Sequence, residues 1–367
     1  MASTQLATDL ARRDDHDIGQ ILAVNTSEYG SDDILATRED FFWRYDQNPA
    51  GQGVIPVIRN RRGDVVGFIW LVPIRIRIKG QDCSVAIGTN LVIQPEYRRT
   101  FGYVKLLRQF ECAVRDHDIP LHFSFVSEEN YKQLRLNRPR TAFTVPLLAK
   151  PLDYDALARD YFTSKWKRFI GSRAGWLLSP LFREKPFLKR NNEITIRAIE
   201  QFDGDFDEFW RHVQDNYPVM VVRDRAFLAW RFAPVSRRRY HILVAQLRGQ
   251  MLGYTVIRCA TVRGIKTGLI LDLLVADGPL GMEAGMYLMA QAEAFFRTQE
   301  MSLMAGLMAP WAKEYRILRR SGHRDVPLAI APRRSRFAFF VHSASQETLN
   351  SLSTRDWFIT LADYESH

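Results

Sequence analysis

Pro95-Glu96-Tyr97-Arg98-Arg99-Thr100-Phe101-Gly102-Tyr103-Val104-Lys105-Leu106-Leu107 is the stretch on which the reading of this chain turns. Ahead of it, Asn90 to Ile93 forms a short apolar run of strand type. Behind it, Val104, Leu106, Leu107, Phe110 and Val114 recur at helical spacing. The stretch is therefore a strand-to-helix turn, with two arginines and a glycine where the helix begins. A helix N-terminus offers unpaired N–H groups and the positive end of its dipole, which suits an anion. First-turn arginines add charge-assisted hydrogen bonds, and glycine lets backbone approach a ligand closely.

Working outward, the surroundings of this turn occur twice. Phe41 to Pro49 (FFWRYDQNP) parallels Phe227 to Pro234 (FLAWRFAP), with Trp43-Arg44-Tyr45 over Trp230-Arg231-Phe232. Val54 to Asn60 then matches Tyr240 to Gln246, and RGDVVGFIWL matches RGQMLGYTVI, with Gly67 over Gly253. Asn90 falls over Asp272, and Ala142-Phe143…Pro146-Leu147 over Gly322-His323…Pro327-Leu328. The offset drifts only from 187 to 180 across five ordered matches, which reads as a duplication.

Each copy opens with a helical signal: Ile18, Ile21 and Leu22 in one, Phe206, Phe209, Trp210 and Val213 in the other. Apolar, β-branched runs separated by Arg62-Gly63-Asp64 and Arg248-Gly249-Gln250 then read as antiparallel meanders. A strand and helix, a further strand with a short helix (Glu129 to Leu136; Trp311 to Arg320) and a last strand follow. The fold class expected is mixed α/β (α+β), two units each with a mostly antiparallel central sheet flanked by helices. Boundaries fall at 1–150, a connector at 151–191, and 192–367.

Length and composition agree with this. The 367 residues exceed one ordinary core, and 46% hydrophobic with 25% charged residues is globular. Cys83, Cys112 and Cys259 lie far apart without C-x-x-C, against a disulfide framework or structural zinc. No basic-plus-apolar start resembling a secretory signal and no long uncharged apolar run is present, so a soluble, cytoplasmic protein is expected. The net charge is +10, and Thr163 to Arg190 carries eight basic residues against Glu184, a net +7. Trp166, Phe169, Ile170, Trp176 and Leu177 follow helical spacing there. Such a segment either docks its apolar stripe on a core, with Pro180 and Pro186 ending it, or lies on a membrane face. Nothing resembles a nucleic-acid-binding motif.

The element order and the turn resemble the GNAT acyltransferase superfamily, whose acyl-CoA motif runs P-x-Y-R-G-x-G-x-G/A-x-x-L-L. Pro95, Tyr97, Arg98, Leu106 and Leu107 fall in register; Arg99, Phe101 and Tyr103 stand at the glycine positions, and Gly102 is one step out. The doubled chain also resembles tandem acetyltransferase-like proteins associated with bacterial polysaccharide and cell-envelope clusters. The resemblance implies transfer of an acetyl or acyl group from acyl-CoA to an amino group, such as that of an amino sugar or envelope precursor. The acceptor would be a small molecule or saccharide, with no metal required. Backbone N–H groups of Arg99, Thr100, Phe101, Gly102, Tyr103 and Val104, with Arg98, would hold the pyrophosphate. Val92 and Ile93 would pair with the pantetheine arm, and Asn130 resembles the family's CoA-contacting asparagine.

Transfer needs an acid near the leaving sulfur and a base for the amine proton. The family's tyrosine would fall at Asn137, so Tyr131 or Tyr103 is the acid candidate. Glu128, Glu129 and Glu96 are the base candidates, although a glutamate at a helix start also complements the dipole. In the second copy Tyr315 is nearest the family position, beside Asp272. Its turn, Ala276 to Gly285, has no Arg or Lys, and Asp277 and Glu283 would repel a pyrophosphate. His117, His122 and His323 stand singly, as structural residues do. The Trp43-Arg44 and Trp230-Arg231 pairs are expected to anchor a strand to a helix. Two rival readings share the fold: a non-catalytic binding or scaffold protein, and an aminoacyl-tRNA-dependent transferase of the FemAB type.

Overall fold

The structure, a computed structural model, describes residues 6–31, 33–98, 101–126, 141–161, 164–184, 192–235, 238–329, 331, 336–342 and 347–363. The first part of the chain runs β1 (Ala7–Leu10), α1 (Asp15–Tyr29), α2 (Arg38–Tyr45), β2 (Pro56–Arg59), β3 (Val65–Ile78) and β4 (Gln81–Ile93). It continues through α3 (Pro95–Arg98), α4 (Gly102–Asp116), β5 (Leu121–Val126), β6 (Thr141–Thr144) and β7 (Leu147–Pro151). The connector supplies α5 (Tyr154–Tyr161) and α6 (Lys165–Leu178). Then follow β8 (Ile194–Ile199), α7 (Gly204–Val213), β9 (Val219–Val221), α8 (Arg225–Arg231), β10 (His241–Leu247), β11 (Gln250–Val262) and β12 (Ile265–Val275). The chain continues with α9 (Gly278–Thr298), β13 (Leu303–Leu307), α10 (Lys313–Arg320), β14 (Arg324–Asp325), β15 (Arg336–Val341) and the short helix α11 (Glu347–Asn350). Among the described residues no helix is long and apolar enough to cross a membrane.

Two mixed sheets result. The first has the order β1-β2-β3-β4-β5-β15-β6, with β9 also on β3; the second runs β14-β7-β13-β12-β11-β10-β8. Meander pairs are antiparallel and the strand–helix–strand crossings are parallel, β4 with β5 and β12 with β13. The hairpin glycines Gly63 and Gly249 take φ +88 and +86, a conformation open to glycine at little cost. In β3, Val65 to Val72 is buried throughout, because helices cover both faces there. From Pro73 to Ile78 burial alternates, because one face is bare.

The boundaries at 150 and 192 do not separate the sheets. β7 pairs with β13 in the second sheet, while β15 crosses back to lie between β5 and β6 in the first. Each sheet thus takes a strand from beyond the connector, and one apolar core runs between them. A smaller cluster, including Leu106, Phe110 and Val114, lies under α4.

The Trp-Arg segments lie within helices and anchor the two halves to each other, instead of a strand to a helix. Trp43 in α2 and Trp230 in α8 stack with ring centroids 5.2 Å apart. Trp43 Nε1 donates to the Trp230 carbonyl at 2.7 Å, and Trp230 Nε1 returns a bond to the Trp43 carbonyl at 2.9 Å. Reciprocal contacts of this kind are what a local two-fold axis produces.

Candidate functional site

Among the described residues of the first sheet, β4 and β5 pair only at Ala86–His122 and Ile87–Phe123. Beyond that, β4 bonds to β3 and β5 bonds to β15, so the strands part. Gly88 stands at the fork, where a Cβ would lie 2.8 Å from Ser124 Oγ. A bulge follows: Phe68 opposes Val92 and Trp70 opposes Thr89, leaving Asn90 and Leu91 against Ile69. Asn90 takes φ +49. Its carboxamide accepts from the Tyr29 hydroxyl at 3.1 Å and donates to Asn25 Oδ1 at 3.3 Å. Buried Asn25 in turn donates to the Leu35 carbonyl at 2.7 Å. A polar chain from α1 therefore fixes the bulge at the mouth of the fork.

Past Ile93 the chain makes the short helix α3 and enters α4. The α4 N-cap position, Phe101, offers no side-chain hydrogen bond to the first turn, and its ring is 79% exposed. Gly102 is buried where α4 begins, and a Cβ there would stand 3.1 Å from the Tyr97 carbonyl oxygen, so the turn is tight. Val92 and Ile93 are buried, whereas Val104 is exposed. Arg98 Nε donates to the Ile93 carbonyl at 2.7 Å and its Nη2 pairs with the Glu28 carboxylate. Arg98 thus braces the turn against α1. The Tyr103 hydroxyl is buried without a hydrogen-bond partner among the described residues, and burial pushes its phenol up. Glu96 is exposed. Arg99, Thr100, Glu128, Glu129, Asn130, Tyr131 and Asn137 lie outside the described residues.

The second sheet repeats the fork. β12 and β13 pair from Thr267–Leu303 to Ile270–Gly306, and β12 bulges at Leu271 opposite the Val256–Ile257 step. Here the space is filled by the chain itself. Thr360 bridges Met308 beyond β13, and its Oγ1 donates to Asp272 Oδ1 of β12 at 2.9 Å. Arg223 lies beneath, donating to Asp272 at 3.1 Å and to Asp363 at 2.9 Å, while the Tyr254 hydroxyl donates to Asp272 at 2.8 Å. Arg223, Tyr254, Thr360 and both carboxylates are buried. Burial raises the Asp363 carboxyl, with Arg223 pulling the other way. Further along, the Val275 N–H donates to Glu314 Oε1 at 3.2 Å, and the Tyr217 hydroxyl also donates to Glu314. Burial pushes the Glu314 carboxyl up to about 7 against the pull of Lys313 and the Tyr217 hydrogen bond.

Of the residues expected around the second fork, Asp277 pairs with Lys313, which the turn itself does not contain, and Glu283 accepts from the Tyr287 hydroxyl at 3.1 Å. Tyr315 departs from its expected place beside Asp272. Half-buried on α10, it holds Asp325 instead, with its hydroxyl 2.9 Å from both Asp325 oxygens. His323 is buried, with Nδ1 3.0 Å from Ser321 Oγ, and burial lowers it to about 3. His122 stacks on Phe340 and meets His342 at 2.6 Å. Among the described residues Asp14, His16 and Asp17 bring possible ligand atoms within 4.8 Å of one another. Asp17 is already held by Arg59 at 2.6 and 2.9 Å, and Asp14 caps α1.

Sequence reasoning missed Asn25, Tyr29 and the C-terminal plug. Asn25 had a signal, being a polar residue on the stripe of Ile18, Ile21 and Val24. Trp357 to Asp363 had none, since seven residues with no periodic pattern do not show what they fill.

No family model matches the chain, and no curated protein matches it in sequence. Solved structures do resemble it. N-myristoyltransferase of Saccharomyces cerevisiae with bound myristoyl-CoA superposes with TM-score 0.59 at 12% identity, over 92% of this chain and 82% of that one. A GCN5-related N-acetyltransferase from Anabaena variabilis gives 0.58 at 11%, over 91% and 73%. A probable N-acyltransferase from Enterococcus faecalis gives 0.58 at 10%, over 91% and 73%. With its two mixed sheets, forked parallel strands and flanking helices, the chain has a GNAT-like acyltransferase fold.

Proposed function

We propose that the protein is an N-acyltransferase that takes an acetyl or longer acyl group from acyl-CoA in the first fork and delivers it to an amino group. The acceptor would be a small molecule or saccharide, and the site would work in the cytoplasm on a chain that arose by duplication of one unit. The observation that carries the reading is the asymmetry of the two forks. The second is filled by Thr360, Asp363 and Glu314. In the first, among the described residues, β4 past Ile87 has no β5 partner, and it leads to a helix start without a side-chain cap, a feature that the start of α9 at the second fork shares. Such a start suits a pyrophosphate.

In this reading the amine attacks the thioester carbonyl directly, and the sulfur leaves with the electron pair of the broken C–S bond. The β4 edge and the α4 N-terminus would hold and orient the CoA arm. Asn90, fixed by Tyr29 and Asn25, would face the acceptor side of the bulge. Tyr131 or Tyr103 would protonate the leaving sulfur, and Glu128 or Glu96 would take the amine proton.

Mass spectrometry of a mixture of acetyl-CoA, amino sugars and the protein tests this. A mass gain of one acetyl group, lost with Arg98→Ala plus Arg99→Ala, is expected. Tight acyl-CoA binding with no transfer to any amine would leave a binding protein, and no binding at all would remove the reading.

A further inference from the structure

The C-terminal end of α6 is built the wrong way round for a helix whose only task is to dock on its own protein. In α6 the small residues Gly171 and Gly175 line an apolar cavity of about 580 Å³ over β12 and β13, together with Leu157, Ala158, Leu269 and Leu303. Gly175 lies against the Tyr154 ring of α5, where a Cβ would come within 2.6 Å. Among the described side chains, the large apolar residues at the C-terminal end of α6 are instead outside. Trp176 is 69% exposed, Leu177 72%, Leu178 52% and Leu181, in the turn that follows, 54%. A surface helix of a globular protein normally puts its large apolar residues against the core. Four in six positions facing water form the kind of patch that marks an interaction surface.

Charge identifies the occupant. Arg173 and Arg183 flank the patch and are exposed, and no acidic residue occurs between Ser164 and Arg183. The surrounding 28 residues, Thr163 to Arg190, carry a net +7, leaving +3 for all the rest of the chain. A tryptophan and leucines flanked by Arg173 and Arg183, in a segment whose sequence carries a net +7, match the interface of an anionic bilayer, where the apolar groups enter the acyl boundary and the arginines meet phosphates. A protein partner with a neutral groove would leave the charge unexplained. We infer that the α6 end of the connector is a peripheral docking surface for anionic lipid. The inference does not depend on acyl transfer.

Flotation with vesicles of phosphatidylcholine, alone or with phosphatidylglycerol, tests it on the full chain. The protein should rise with the phosphatidylglycerol vesicles, much less with phosphatidylcholine alone, and less as salt screens the charge. Trp176→Ser, Leu177→Ser and Leu178→Ser together should lower recovery by about tenfold or more. Arg173→Glu with Arg183→Glu should do so on anionic vesicles. Leu181→Glu is a milder second variant should the triple one melt early. No flotation of the unaltered protein, or equal recovery of all variants, overturns the inference. So does a dimer, abolished by the triple change, that forms without any vesicle binding.

Discussion

At the residue scale, Asp17 shows how a buried charge is made tolerable. Burial alone would raise its carboxyl, but Arg59 hydrogen bonds in two directions and the Arg12 N–H outweigh it, bringing the group down from 3.8 to about 2. A depressed folded pKa means stability present above about pH 4 and lost as pH falls toward 2. The loss should be about 2 kcal/mol, and denaturant melts of Asp17→Asn should show neither this slope nor that stability at pH 7. The tryptophan pair is a second residue-scale case. Trp43→Ala should cost about 3–5 kcal/mol, and a cycle with Trp230→Ala should return a coupling of about 1 kcal/mol or more. Additive losses would mean that the ring stack and its two hydrogen bonds act independently. The sequence made these tryptophans conspicuous by aligning them, yet alignment cannot say that equivalents touch. Asn25 shows the converse, since its place on an apolar stripe was visible and its partner Asn90 was not.

At the element scale, local order was legible and strand destination was not. The expected strand and helix of the second unit fall at β12 and α9, and the meanders fall where the Arg-Gly turns put them. β7 and β15 read as last strands of their own units, because periodicity reports a strand's faces but not its neighbours. Their exchange has a consequence. A fragment of residues 1–150 lacks β15, leaving β5 and β6 with no strand between them, and should give no cooperative thermal transition by circular dichroism. The plug of the second fork depends on one cation between two acids. Arg223→Met strands the Asp272 and Asp363 carboxylates in an apolar interior and should cost about 3–5 kcal/mol in chemical denaturation. A loss below 1 kcal/mol would mean that water already reaches them.

At the scale of the whole molecule, the two forks are built differently. One fork is filled by the chain's own C-terminal segment, and the other ends at a tight turn into α4 that is braced by Arg98 on Glu28. The motif around Pro95 marks this turn in the sequence. Its arginines, however, read as ligand contacts, and Arg98 turns out to hold the Ile93 carbonyl. Side-chain direction at a turn is set by neighbours such as α1, which lie some 70 positions away in sequence. The division of labour between the forks is the central claim, and isothermal titration of the full chain with acetyl-CoA and a long-chain acyl-CoA tests it most directly. The account predicts one site per chain, weakened by Arg98→Ala plus Arg99→Ala and unchanged by Tyr315→Phe in the second unit. Two sites per chain, or binding indifferent to the first-unit change, would contradict it.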